Sequence, residues 1–483
     1  MSPTDAIVME NFYPTASTVN LRYGRSKFAT GVTGSIKTLI PFNPGVSNKL
    51  FAATQYGIHD VTFGGSIGSP VTTCTNGRWE FRNFRNSAGS WLVMVNGVDK
   101  MKIYNGTTWT DLDADSSPAI TGISTTEFTN VNLFKRRLWF TGKNSLSAYY
   151  LPIDAIGGAA VEFPMGPIFD KGGYLVAQYN WTIDGGQGSD DYLVTVTSQG
   201  QLAVYQGTDP ASASTFSLVG VYYVGKPIGK RCFIKYGGDV LYLSKNGVFV
   251  LSKLMLSAIL DRTNSLSDKI DEAFKNASSL LADNFGWQAI LHPTQNALIV
   301  NVPVVEGGTS MQFVMNNITK AWCKFTNWNS DCFAEFDGQI YSAQGSNIYL
   351  LWTGSSDDGA AIPGKCQQAY FSAGRPCQVN LVRPNISAQG SLVIQTAIDT
   401  DFSLFSGISE ESYISLTTGI SFWDQGQWDI ATWSAGIVPI GQNWFSCPNN
   451  PGIFHSFRLQ CTSSTATLTW TSTDFGIVPT GLL

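Results

Sequence analysis

The chain has 483 residues, enough for two or three domains, with aromatic residues at 13% and charged residues at only 13%, against about 25% charged in an ordinary soluble protein. So little charge cannot dress the whole surface of a free monomer, and much of that surface is expected to be covered by neighbours in an assembly. A formal net charge of −5 argues against a protein whose main task is gripping nucleic acid through a basic face, but it suits a neutral or weakly acidic wall past which DNA slides, because each Lys or Arg contact to phosphate adds affinity.

In chain order, residues 1–48 read as an N-terminal docking strand segment. Pro14 fixes a turn after the aromatic pair Phe12-Tyr13, and Val19, Leu21 and Tyr23 alternate as a strand ended by Gly24. Arg22 falls on the opposite face, where it is expected to pair with a carboxylate of the same or a neighbouring subunit. The opening MSPTDAIVMENFYP has no basic start followed by an apolar run, so no secretory leader is expected, and the protein is expected to be made in a reducing cytosol.

Residues 49–353 repeat a pattern of strand, turn and strand, seen in LFAATQYGIHDVT (from Leu50), WLVMVNGVDKMKIYNGTTW (from Trp91), YLVTVTSQGQLAVYQG (from Tyr192) and FAEFDGQIYSAQGSNIYLLW (from Phe333). Asn96-Gly97, Asn246-Gly247 and Asp337-Gly338 offer the positive φ that two-residue hairpins demand. Hairpins recurring every ~40–50 residues describe an irregular β-propeller of about six or seven blades. One segment breaks the pattern: from Arg262 to Asp283, Leu266, Ile270, Ala273, Phe274, Ala277 and Leu281 share a helical face, with Ser265 or Ser267 as cap. This is a short inserted amphipathic helix, packed on its own domain or offered to a partner. Residues 354–364 are polar and Gly-rich and read as a linker, and residues 365–483 alternate as the strands of a C-terminal β-sandwich or platform domain. The expected fold class is therefore all-β.

Chemistry is sparse. Cys74, Cys232, Cys323, Cys332, Cys366, Cys377, Cys447 and Cys461 form no CxxC pair, and only His59, His292 and His455 could assist them, so buried free thiols are expected and no metal or cofactor. No GxSxG, HExxH, Walker A or GxGxxG motif occurs. No apolar run reaches the ~18 residues of a membrane span. DLDAD (Asp111, Asp113, Asp115) imitates the start of a calcium loop, but Ser116 stands where Gly is needed and Gly122 where Glu is needed, so an exposed acidic turn is favoured. STDFG (Ser472–Gly476) matches the core of an Asp box once, outside the blades, and reads as chance or a turn. A propeller glycosidase would need two facing carboxylates, with Asp190, Asp191, Asp357, Asp358, Asp399 and Asp401 as candidates. Arg78, Arg82, Arg85, Lys135, Arg136 and Arg137 lie among aromatics, a composition used for stacking on single-stranded nucleic acid or, the favoured reading, for subunit contacts. The stretch Phe422–Phe445, with Trp423, Trp428, Trp433 and Trp444, reads as sandwich core or as a loop that contacts a receptor, fibre or membrane.

The segment DAIVMENFYPTASTVNLRYGRSKFATGV (Asp5–Val32), with N-F-Y-P followed by V-N-L-R-Y-G, resembles the opening of tail nozzle proteins, also called hub or packaged-DNA stabilisation proteins, of short-tailed bacteriophages. LSDKIDEAF (Leu266–Phe274) and the ending LTWTSTDFGIVPTGLL (Leu468–Leu483) agree with that family. The resemblance implies a structural virion protein in a homohexameric ring below portal and adaptor. Such a ring continues the DNA channel, retains the packaged genome, opens for ejection and docks tail fibres or spikes, with double-stranded DNA passing without sequence-specific binding. It implies no enzyme and no cofactor, and it makes Asn11, Phe12, Pro14, Leu21, Arg22 and Gly24 the candidate subunit or adaptor contacts. A receptor- or carbohydrate-binding tail spike and a propeller-type glycoside hydrolase are the competing readings.

Overall fold

The structure is a computed structural model that describes residues 5–184, 189–256, 264–389, 392–403, 438–439, 444–447 and 449–480. Short runs of β-branched and aromatic residues broken by Gly, Asn and Asp give a chain built almost wholly of strands, with a few short helices. It divides into two units made from interleaved sequence: residues 27–310 with 329–349, and residues 1–26 with 311–328 and 350–483.

The first unit is the propeller. Six antiparallel sheets begin with strands Thr38–Phe42, Glu80–Asn86, Phe128–Phe134, Leu175–Asp184, Phe233–Tyr236 and Cys332–Phe336. Glu80–Asn86 lies beside Phe128–Phe134, which lies beside Leu175–Asp184, and Cys332–Phe336 returns beside Thr38–Phe42, so the sheets radiate as six blades around a ring. The hairpin of Gln288–His292 and Ala297–Pro303 sits between the fifth and sixth blades. Blades bury both faces against their neighbours: Phe42, Phe51, Trp79, Leu92 and Tyr104 share one core, and Val93, Ile103, Phe128, Val131 and Phe140 the next. The ring is closed by the unit's own first residues. The strand Arg25–Thr30 adds to the last blade, and within this unit Val32 N donates to Ser346 O at 3.3 Å and Ile36 N to Gly345 O at 2.8 Å. The propeller therefore starts at residue 27 rather than 49, because Thr38–Phe42 is a blade strand and not part of a docking segment.

The turns follow the expected chemistry only in part. Asp337 and Gly338 take φ of 48° and 75° between paired Phe336 and Gln339, a two-residue hairpin as expected. Asn246-Gly247 does not: the loop is Lys245-Asn246, and Gly247, at φ 139°, is already paired with Ser244. Asn96 opens a longer loop, its Oδ1 accepting from Val98 N and Asp99 N. A tight turn that no Gly announces lies at Lys135-Arg136, with φ of 44° and 63° between paired Phe134 and Arg137. Its two side chains pair with Asp191, at 2.7 Å, and Asp154.

The helix is shorter than its pattern. A 3-10 turn Asp268–Ile270 leads into the α-helix Asp271–Leu281, which buries Phe274, Ala277 and Ser278. Ala273 and Leu280 point outward, and neither Ser265 nor Ser267 caps it through a side chain: Ser267 Oγ instead accepts from Val248 N. Ser278 Oγ donates to Lys245 O at 2.8 Å and Phe274 packs edge-on against Trp287, so the helix lies on its own unit.

His292, buried at the end of Gln288–His292, has its pKa pushed down to about 4 by burial. The unfolded chain takes up this proton near pH 6.5, so the contribution to stability is complete above 6.5 and is lost as pH falls towards 4, with a slope of at most about 1.4 kcal/mol per pH unit. We expect His292→Gln to flatten the parent's pH-dependence of stability in that window, as read by urea unfolding at pH 7, 6, 5 and 4; parallel curves would refute it.

In the second unit three long strands, Phe371–Gln389, Gly452–Ser463 and Thr467–Pro479, carry the sheet. On one side of this trio the pairing runs from Thr467–Pro479 to Val19–Leu21 and Phe12–Pro14, and on the other from Gly452–Ser463 through Ile362–Gln368 and Ala6–Glu10 to Trp322–Phe325. Val393–Thr400 also pairs with Gly452–Ser463. The inward faces meet in one core that includes Phe12, Leu21, Val382, Ile398, Phe457 and Trp470, the two-layer arrangement of a sandwich. Two boundaries are corrected here. Residues 311–328 belong to this unit and not to the propeller, since Glu10 pairs in parallel with Lys324. Residues 354–364 are no linker: Asp357 is buried, and Gly364 lies under Phe12, Leu21 and Cys461. All eight cysteines are free and buried. Among the described residues no helix is long and apolar enough to cross a membrane.

Candidate functional site

The N-terminal motif builds a buried ionic lock inside the second unit. Asn11 adopts φ 55°, the left-handed conformation that Asn tolerates, and ends Ala6–Glu10 with a kink. The chain returns as a hairpin in which Phe12 faces Leu21 and Pro14 faces Val19. Arg22 follows, its side chain wholly buried, and all five guanidinium N–H donors are used. Nε donates to Asn11 Oδ1 (2.8 Å), Nη1 to Tyr23 O (3.0 Å) and Asp357 Oδ1 (2.9 Å), and Nη2 to Thr326 O (2.8 Å) and Asp357 Oδ2 (2.6 Å). Trp328 lies 4.8 Å from the guanidinium carbon and donates its Nε1–H to Asp357 Oδ1 at 3.1 Å. Tyr13, Phe325 and Trp352 continue the aromatic wall, and burial pushes the Tyr13 phenol well above its ordinary range. Asn11 completes the lock by donating Nδ2 to Thr326 Oγ1 and Pro363 O, both at 2.8 Å. Gly24 lets two backbones touch: its N–H donates to Gly354 O at 3.0 Å, and a Cβ there would stand 1.8 Å from Ser356 O.

The expected carboxylate partner of Arg22 is thus Asp357 of the same chain. Asn11, Phe12, Pro14, Leu21, Arg22 and Gly24, the expected subunit or adaptor contacts, are all buried in their own chain. Exposed apolar groups of this unit lie elsewhere, at Leu381, Ile453, Phe454, Ile477 and Val478 on the long strands, with the Phe402 ring tilted against Phe454 at 5.4 Å.

The remaining candidates are dispersed. Asp191 pairs with Lys135, Asp399 with Gln367 and Arg458, and Asp401 accepts from Ile453 N and Phe454 N. Asp357 is in the lock, and the Asp190 side chain lies outside the described residues. In DLDAD, Asp111 and Asp113 are held by Lys102 and Lys100, and no group of three or more potential metal ligands occurs among the described residues. STDFG is neither turn nor Asp box but part of strand Thr467–Pro479, with Asp474 paired across to Arg383 at 2.7 Å. Arg78, Arg82 and Arg137 lie over Phe285, Tyr179 and Tyr150 of the propeller itself, so the aromatics flanking them serve internal packing. Of the Trp-rich stretch only 438–439, Trp444 and Phe445 are described, and Arg383 covers Trp444 at 4.9 Å.

No family model matches the chain, and no curated protein matches it. Among solved structures it is similar to the BBS1N chain crystallised in complex with ARL6DN, at 13% identity and a TM-score of 0.41, covering 69% of this chain and 99% of that one. The Swd1 β-propeller domain of Myceliophteria thermophila follows at 11% identity and 0.42, covering 68% and 99%. Raptor of Chaetomium thermophilum stands at 11% and 0.39, covering 68% of this chain but 29% of its own. Likenesses this remote carry no argument about function.

Proposed function

We propose that the chain is a structural subunit, at the coarse level a protein-interaction scaffold on a propeller, and at the finer level the tail nozzle of a short-tailed bacteriophage, assembled as a ring in the virion. The observation that carries this reading is that two of the three segments bearing the family resemblance, Asn11–Gly24 and the stretch from Leu468, lie far apart in sequence yet pair as neighbouring strands, Val19 with Trp470 and Asn20 with Thr469. These two parts of the resemblance therefore coincide with one folded module, while Leu266–Phe274 belongs to the propeller. The exposed apolar side chains on that module's long strands supply area for a heterologous interface that closes into a ring. A net charge of −5 suits a lumen that does not hold DNA back by attraction.

Imaging of particles that contain the chain tests this directly. The expected result is six copies about an open axial channel, next to an adaptor ring. A monomer or trimer that binds or cleaves glycans would overturn the reading in favour of a spike or a glycosidase.

A further inference from the structure

The propeller carries an open pocket of about 520 Å³ whose lining holds four lysines, Lys143, Lys226, Lys230 and Lys245, the first three of them exposed, in a chain with only 30 Lys and Arg among 483 residues. They come from different places: Lys143 follows the third blade's strand Arg137–Gly142, Lys226 and Lys230 lie between the fourth and fifth blades, and Lys245 is in the fifth blade's hairpin turn. Lys230 also lines a second cavity of about 360 Å³, which places it at the partition between the two. Among the described residues Asp283 is the only acidic group lining the larger pocket, and it pairs with Lys245 at 3.8 Å. On the far side of Lys230, Glu80 is held by Arg231 at 3.2 Å. Among the described residues no carboxylate lies within ion-pair distance of Lys143, Lys226 or Lys230. Lys143 donates to Gly97 O at 3.0 Å and Lys230 to Thr129 O at 3.3 Å. Each ammonium has three donors, so each keeps N–H groups for a ligand.

We propose that this cavity is a binding site for a small phosphate-bearing anion. Clustered like charges destabilise a fold unless something offsets them, and protein crowded around Lys230, together with Arg231, Lys143 and Arg78, lowers its pKa despite Glu80 even though its side chain reaches solvent, so an anion here would relieve an existing repulsion. Lysines act as point charges that suit a tetrahedral phosphate, whereas a planar carboxylate is matched by the Arg fork, which this lining lacks. Ser198 and Asn144 add neutral donors. The volume admits a small phosphorylated compound and not a duplex.

Calorimetry on the full chain with inorganic pyrophosphate, in phosphate-free buffer of low ionic strength, tests the site. One saturable site is expected, weakened at least about tenfold, or roughly 1.4 kcal/mol, by Lys230→Met and by Lys226→Gln. Lys171→Met, whose parent side chain lies over Tyr223 outside the cavity, is expected to leave binding unchanged. Lys226 and Lys230 are both exposed, and the Lys226 variant keeps the test valid if Lys230→Met misfolds. As a second measurement, pyrophosphate is expected to slow acetylation of Lys230 relative to Lys171, read by mass spectrometry. The proposal is overturned by absence of saturable binding, by affinities indifferent to the two cavity substitutions, by citrate binding as tightly as pyrophosphate, or by displacement with a short single-stranded oligonucleotide.

Discussion

Arg22→Met is expected to cost the second unit about 3–5 kcal/mol, because it strands Asp357 as an unpaired charge in a buried site. The same range is expected for Asp357→Leu, which leaves the guanidinium with two of its five donors unmet. The double variant Arg22→Met/Asp357→Leu removes both charges and is expected to recover part of that loss, so a double-mutant cycle should return a coupling energy well above the ~0.5 kcal/mol of independent sites. Arg22→Lys is not a conservative change here: an ammonium has three donors and no planar fork, and it cannot reach Asn11, Thr326, Tyr23 and both Asp357 oxygens together. Urea unfolding followed by Trp fluorescence reads the effect, since Trp328 and Trp352 border the lock. If Arg22→Met unfolds within 1 kcal/mol of the parent, the lock does not hold the unit together.

Gly24→Ala ranks second. The new methyl group would overlap Ser356 O and C, at 1.8 and 2.4 Å, and these are backbone atoms that no rotamer change can move. Separating the strands would break Gly24 N to Gly354 O and Arg25 N to Ser356 O, each 3.0 Å. The expected cost lies at or above the upper end of the ~1–3 kcal/mol typical of overpacking. Gly374→Ala, where a Cβ meets nothing within 4 Å although φ is 74°, serves as the comparison that isolates steric overlap from backbone strain. Equal midpoints for the two variants would contradict the close approach seen at Gly24.

The propeller was legible in the sequence because blades are local: each hairpin announces itself by alternating apolar residues, and its partner strands follow within a dozen positions. Boundaries were not, because they depend on pairings hundreds of residues apart. Nothing in GSSDDGAAIPG distinguishes a solvated linker from a segment whose Asp357 is drawn inward by Arg22. The turn Lys135-Arg136 escaped notice for a related reason: positive φ is expected of Gly or Asn, and here two cations take it with Asp191 and Asp154 as anchors. The N-terminal motif illustrates both sides. Its residue types pointed to a special role, and the alternation placed Arg22 opposite the apolar face, but burial within the chain could not be told from burial against a neighbour. The lysines of the propeller's pocket are scattered over a hundred positions, and only the ring brings them together.

The interleaved layout of the two units has a consequence for synthesis. Residue 349 completes the sequence of the propeller, which can then close while the ribosome is still working. Strand Val19–Leu21, made near the outset, must wait for Trp470. At ~5–20 residues per second that delay is roughly 20–90 s. For that interval Phe12 and Leu21 lack most of their final covering, so the nascent chain carries an apolar end that a chaperone has time to hold. A strand translated late is what secures one translated early.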